Sequence, residues 1–345
     1  MNYAIILAGG VGSRFWPIST FNTPKQILNI TGKYTPLQNT IKRIDGLINP
    51  NNILIITNKL LEKEIQNQVK SLKIPKENIL VEPCRKNTAL PIAWSAFKLY
   101  MKDLNSTMIV LPADHFIKDK HNFLFSIKKA IEFAQSGLLV TLGIKPSFPE
   151  TAYGYIKTGQ NIGQAYKVDR FIEKPDLDTA KLLVKDTRYF WNSGIFVWKT
   201  KIILQEFRKY LPDVYNVLNS TQHAKSFNSF WKKRKSISID YGILEKSKKI
   251  ILVPANFSWI DIGSWDALDK VIKSNRENNI IHAKTLNLNS RNLIIWSDDR
   301  IKTKKLIATI GVKDLIIVES KDAILICHKN NAQDVKKISQ LINKE

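Results

Sequence analysis

Several things are scarce in this chain. Cysteine occurs twice, at Cys84 and Cys327. Two cysteines so far apart exclude a disulfide framework and a cysteine-built zinc cluster, and they suit a reducing cytosol. The five histidines include no H-x-x-x-H pair, so helical zinc ligation is not expected. No apolar run approaches the roughly 20 residues that span a bilayer. The opening MNYAIILAGG lacks the basic n-region and the apolar length of a secretory leader. Acidic side chains are missing from the start: the first is Asp45, and before it stand Arg14, Lys25, Lys33, Lys42 and Arg43.

What is present is a chain of 345 residues, 44% hydrophobic, long enough for one large domain and a smaller one. Its formal net charge is +23, which invites a nucleic-acid reading. That reading is weak. Lysine outnumbers arginine 43 to 10 and is scattered, and the densest run, WKKRKS at 231–236, is short. A small anionic substrate needs only a few placed cations, so neither a nucleic-acid nor a membrane partner is expected.

The runs 3–8, 52–57, 78–83, 108–114 and 138–144 are short, apolar and end in turn or polar residues. They predict strands buried on both faces. Between them, 59–72, 88–101 and 122–135 carry apolar residues at helical spacing. Strand–helix–strand alternation predicts an α/β fold, a Rossmann-like, mostly parallel sheet flanked by helices. Ligands then bind beyond the carboxyl ends of the strands, at Gly9–Arg14, Glu82–Thr88 and Asp114–His115. From 145 to 262 the pattern loosens. Strands are expected at 152–158, 168–173 and 193–199, and helices at 176–186, 200–211 and 224–235. A helix opens at 263–272 with Ser264 as its N-cap. NRENN (275–279) reads as a linker. Beyond it five short strands and a final helix, about 332–343, form a small β-rich unit. A short β-solenoid fits it, although no clean repeat period is visible. The expected domains are 1–275 and 280–345.

The chemistry concentrates in LAGGVGSRFWPISTFNTPKQIL (7–28). A P-loop fails, because five residues after Gly9 stands Arg14. The dinucleotide fingerprint fails, because Phe15 occupies the third glycine position and no acid follows about 20 residues on. Glycines alone could merely turn a strand into a helix. Arg14 and Lys25 shift the balance: glycine lets backbone N–H groups approach a phosphate chain, and Arg14 can fork onto its oxygens. Lys25, behind Pro24, is a cation placed to meet charge growing on a phosphoryl group.

This stretch resembles the signature of the sugar-1-phosphate nucleotidylyltransferases, and its WP and KQ versions are similar to those of the mannose-1-phosphate guanylyltransferases. EPCRKNTALPIA (82–93), LPADHFI (111–117), AYGYI (152–156), FIEKP (171–175), WNSGIFVW (191–198), SIDYGILEKS (238–247) and WIDIGSW (259–265) follow in family order. The resemblance implies cytoplasmic GMP transfer from GTP to α-D-mannose 1-phosphate, with Mg²⁺, for GDP-mannose and polysaccharide synthesis. Another NTP or hexose 1-phosphate, or a catalytically silent regulatory subunit, are the alternatives. Long relatives carry a C-terminal isomerase domain, which this chain is too short to include. Oligomeric state is left open, a homo-oligomer included.

The resemblance implies roles by position. Arg14 and Lys25 are catalytic. Ala8, Gly9, Gly10, Gly12 and Ser13 hold the nucleotide, with Glu82, Asn87 and Thr88 near the base. A carboxylate at Glu82 could accept from guanine N1–H and N2–H; Thr88 could instead cap the next helix. Asp114 and Asp261 bind metal, two carboxylates being a usual share for Mg²⁺, with sugar hydroxyls the alternative for Asp261. Gly154, Glu173, Lys174 and Asn192 take the sugar phosphate; for Glu173–Lys174 alone, a surface ion pair is the plainer reading. Gly154 admits the sugar, whereas Ala152, where the family commonly has glycine, could crowd the loop. His115 reads as structural, because a phosphate oxygen is already an anionic nucleophile. Trp94 and Trp231 read as packing residues.

Overall fold

The computed structural model describes residues 1–10, 12–20, 22–30, 32–220 and 224–342, the side chain of Ser13 and those of 224–226 excepted. The chain divides into two compact units. The first comprises Met1–Gly9, Thr40–Ala113 and Ile117–Trp259. The second gathers Gly10–Asn39, Asp114–Phe116 and Ile260–Glu345.

The first unit is built on a nine-stranded sheet. From edge to edge its order is Ile79–Glu82, Ile53–Asn58, Asn2–Leu7, Thr107–Pro112, Tyr189–Lys199, Leu139–Ile144, Ile250–Pro254, Tyr166–Glu173 and Gly154–Asn161. The first four are mutually parallel, in register Ile5↔Leu54 and Ile5↔Val110. Their residues are buried on both faces, as continuous apolar runs require. Tyr189–Lys199 runs antiparallel to both its neighbours. Of the strands predicted after residue 145, Tyr189–Lys199 and Tyr166–Glu173 run opposite to the first four, whereas Gly154–Asn161, antiparallel to both of them, runs in the same sense as the first four.

The expected helices form at Glu62–Lys70, Ala89–Lys102, Lys120–Gln135, Leu177–Lys185, Thr200–Tyr210 and Ala224–Lys233. A further one, Pro212–Ser220, was not anticipated. Its proline stands at the first helical position, where the missing N–H costs nothing. Trp231 is fully buried in the core beside Trp94, and its indole N–H donates to the Cys84 carbonyl at 2.7 Å. Both tryptophans are packing residues.

The second unit contains parallel β-coils. Ile280–His282, Ile294–Ser297 and Leu315–Glu319 stack in parallel, with Ile324–His328 antiparallel at the edge. Thr285–Leu288 pairs in parallel with Ile307–Ile310. Ile280 pairs with Ile294 and Ile294 with Ile316, so successive coils advance by 14 and then 22 residues. Unequal coils explain why no period was visible. NRENN is not a slack tether: the Asn275 carboxamide accepts from the Glu277 and Asn279 amides. The final helix is Val335–Ile342. No helix among the described residues is long and apolar enough to cross a membrane.

Candidate active site

In the second unit the signature loop folds around Lys25. Gly12 has φ of +62°, and a Cβ there would lie 2.8 Å from the Lys25 backbone nitrogen. Only glycine meets both demands. The Gln26 side chain is buried and donates to the Gly10 carbonyl at 2.8 Å, and the Ser19 hydroxyl donates to the Gly12 carbonyl at 2.8 Å. Ser13–Phe15 forms a short 3₁₀ turn. Phe15 is fully buried against Trp265, with ring centroids 5.0 Å apart, a burial that contributes about 1.5–3 kcal/mol.

Lys25 Nζ lies 2.8 Å from Asp114 Oδ2 and 3.1 Å from Asp261 Oδ1, and it also donates to the Ile262 carbonyl at 3.0 Å. Burial pushes the ammonium pKa down, but the two carboxylates outweigh it and hold it above the ordinary lysine value. Burial would raise Asp114; Lys25 and His115 overcome that and hold it below the ordinary carboxylate value. Arg14 lies near Gly263, two residues beyond Asp261, where a Cβ would meet its Nη1 at 3.6 Å. Asp114 and Asp261, far apart in the chain, thus share one cation.

The donor set fits a divalent ion. Two carboxylates aimed at one cation leave the remaining positions for water and phosphate oxygens, as Mg²⁺ prefers. No group of three or more His, Cys, Asp or Glu side chains is placed to hold a metal ion among the described residues, so a closed protein cage of such ligands is not what they offer.

The first unit presents a second constellation. A Cβ at Gly154 would fall 2.5 Å from Glu173 Oε2 and 3.6 Å from Asn192 Cβ. Gly154 thus leaves room for a carboxylate. The Asn192 amide is held on every side: its oxygen accepts from the Thr141 hydroxyl at 3.3 Å and the Gly194 amide at 3.1 Å, and its nitrogen donates to Asp240 Oδ1 at 2.8 Å. Burial, aided by Glu173, pushes the Asp240 carboxyl up to about 6. Burial with Glu173 also raises Glu245. Lys174 has φ of +47°, and this left-handed kink returns its Nζ to 3.1 Å from Glu173 Oε1. An extended strand would have sent the two to opposite faces. Ala152 donates its amide to Glu150 Oε1 at 3.0 Å.

Elsewhere in this unit, Glu82 closes its strand beneath Gly9, where a Cβ would meet Glu82 Oε1 at 3.0 Å. Burial pushes the Glu82 carboxyl up to about 8 against the pull of Arg85, and among the described residues its Oε2 has no hydrogen-bond partner. Asn87 has φ of +62° and its side chain accepts from the Thr88 amide. Thr88 precedes the helix Ala89–Lys102 without capping it; its hydroxyl accepts from the Ile239 amide at 2.8 Å. Ala8 continues the first strand, its amide bonded to the Ile56 carbonyl.

Two family models cover this chain: a nucleotidyl transferase model over residues 3–278, and a MannoseP isomerase/GMP-like beta-helix domain over 283–341. The chain belongs to the nucleotidyl transferase family. It is 39% identical to a mannose-1-phosphate guanylyltransferase of Salmonella muenchen, over 97% of this chain and 72% of that one. It is 36% identical to a mannose-1-phosphate guanylyltransferase of Escherichia coli K12, over 99% and 73%. A solved structure described as a mannose-1-phosphate geranyltransferase from Thermus thermophilus superimposes with a TM-score of 0.87 at 28% identity, covering 99% of both chains.

Within this nucleotidyl transferase, Gly10, Gly12, Ser13, Arg14, Lys25, Asp114 and Asp261 fall in one unit, and Ala8, Gly9, Glu82, Asn87, Thr88, Gly154, Glu173, Lys174 and Asn192 in the other. Ser264 stands at the N-cap position of the 3₁₀ turn Trp265–Lys270 but makes no capping bond; its hydroxyl donates to Asp266 instead. Sequence reasoning missed Asp240. The one signal was an acid beside Tyr241–Gly242 in a stretch already matched to the family.

Proposed function

We propose that the chain transfers GMP from GTP to α-D-mannose 1-phosphate, giving GDP-mannose and pyrophosphate. The observation that carries the reading is the partly buried Lys25 between Asp114 and Asp261, in the same unit as a glycine-rich loop and with Arg14 near Gly263. Such a group suits a phosphate chain, and the relatives' names supply the base and the sugar.

The sugar-phosphate oxygen attacks the α-phosphorus in line. The bond to the bridging oxygen breaks, and pyrophosphate leaves with its electron pair. Arg14 and Lys25 face the charge that grows on the phosphoryl oxygens. The nucleophile is already anionic, so no base is required and His115 keeps a structural role. Asp114 and Asp261 would hold Mg²⁺, which when bound neutralises phosphate charge. Glu173, Asn192 and Asp240 take hexose hydroxyls, and Lys174, released from Glu173, takes the sugar phosphate. Gly10 and Gly12 let the triphosphate approach the backbone, while Ala8, Gly9 and Glu82 face the base. A cytoplasmic location accompanies this reading.

The test is a panel of NTPs and sugar 1-phosphates, read by pyrophosphate release with Mg²⁺ present and removed. GTP with mannose 1-phosphate should give the highest kcat/KM, and chelation should abolish it. Preference for another pair would replace the substrates. No turnover with any pair would favour a silent nucleotide-sugar-binding subunit.

A further inference from the structure

We propose that the C-terminal β-unit positions the signature loop, and that Arg300 is the residue through which it does so. The proposal rests on the reaction assigned above. Three side chains distant in sequence reach this neighbourhood. The Trp265 indole N–H donates to the Trp16 carbonyl at 3.0 Å. Arg300 Nη2 donates to the Ile18 carbonyl at 2.8 Å. Gln333 Nε2 donates to the Ser264 hydroxyl at 2.9 Å, three residues from Asp261.

Arg300 is the charged one of the three. Its Nε donates to both oxygens of Asp298 at 2.9 Å, and its Nη2 donates to Asp298 Oδ2 at 2.6 Å. Asp298 is itself buried, and its amide is bonded to the Glu319 carbonyl. The guanidinium is thus fixed on the β-coils before it meets the loop, and a charged donor bonds a carbonyl more strongly than a neutral one. Trp16 and Ile18 lie between Arg14 and Lys25 in the chain, so bonds to their carbonyls restrain the stretch that separates the two cations. The Ile18 and Ser19 amides close back on the Phe15 carbonyl at 3.0 and 2.9 Å, which carries the restraint toward Arg14. The packing runs the same way: Phe15, Trp265, Trp296, Ala332 and Val335 share one buried cluster. A small displacement of a catalytic group can cost about 100-fold in rate.

Arg300→Met and Arg300→Lys should be compared with the parent chain by steady-state kinetics and by hydrogen exchange of the Ile18 and Ser19 amides. Half of the Arg300 side chain is exposed, so both variants should fold. Arg300→Met should lower kcat at least about 10-fold, leave KM for mannose 1-phosphate within about two-fold, and speed exchange at both amides. Arg300→Lys, which keeps a charged donor, should recover part of both losses. A kcat for Arg300→Met within two-fold of an active parent, or unchanged exchange, would overturn the proposal. An inactive parent would refute the assigned reaction instead, and exchange alone would then decide this point: faster exchange supports it and unchanged exchange ends it.

Discussion

Gly12 and Lys25 occupy each other's space: a Cβ on Gly12 would sit 2.8 Å from the Lys25 backbone nitrogen and 2.9 Å from its Cγ. The glycine of the signature loop therefore admits the lysine to its position between Asp114 and Asp261. Gly12→Ala should displace Lys25 and strain a backbone at φ of +62°, at a conformational cost of about 1–2 kcal/mol. Urea unfolding should show a loss of that order, and pyrophosphate release should fall at least about 10-fold.

Lys25→Ala and Arg14→Ala should lose turnover far more than stability. Removing one preorganised charge partner of a transition state typically costs about 100- to 1,000-fold in kcat. Lys25→Ala also leaves Asp114 and Asp261 without their shared cation. Initial rates under saturating substrates, beside thermal melting, check both variants; near-normal kcat in either would remove that residue from the chemistry.

Glu82 gives a pH dependence. Burial raises its folded pKa to about 8 from an ordinary 4.5. Between those values the folded state binds more protons than the unfolded one, so this group makes stability fall as pH rises from about 4.5 to 8. Glu82→Gln should remove that decline, so its urea midpoint should gain on the parent's between pH 5.5 and 8. If the ionised carboxylate receives guanine N–H groups, KM for GTP should also fall over pH 6.5–8 in the parent and stay flat in Glu82→Gln.

Asp240 holds the Asn192 amide at 2.8 Å and faces Glu173. Asp240→Ala should raise KM for mannose 1-phosphate about 10-fold or more while KM for GTP stays within two-fold, because it frees the Asn192 nitrogen and removes a hydroxyl acceptor. Equal rises in both constants would assign Asp240 to general folding.

The parallel half of the sheet was readable because its strands are continuous apolar runs between helices of clear period. The signature loop drew notice because its glycines stand beside two cations with no acid near them in sequence; the carboxylates that pair with Lys25 come from distant positions. Four features were hidden for physical reasons. The left-handed backbone at Lys174 reverses its side chain, and nothing in a Glu-Lys-Pro stretch announces a positive φ. Coils of 14 and 22 residues erase a repeat. The bond from Arg300 to the Ile18 carbonyl joins positions 282 residues apart, and a carbonyl partner leaves no mark in sequence. Asp240 escaped because its importance comes from Glu173 and Asn192, distant in the chain and near it only in the fold.

The most direct measurement is a crystal structure of the chain with a non-hydrolysable GTP analogue and Mg²⁺. The triphosphate should lie against Gly10, Gly12, Arg14 and Lys25, with the metal on Asp114 and Asp261. A triphosphate bound elsewhere, with Lys25 still closed on both aspartates, would contradict the account.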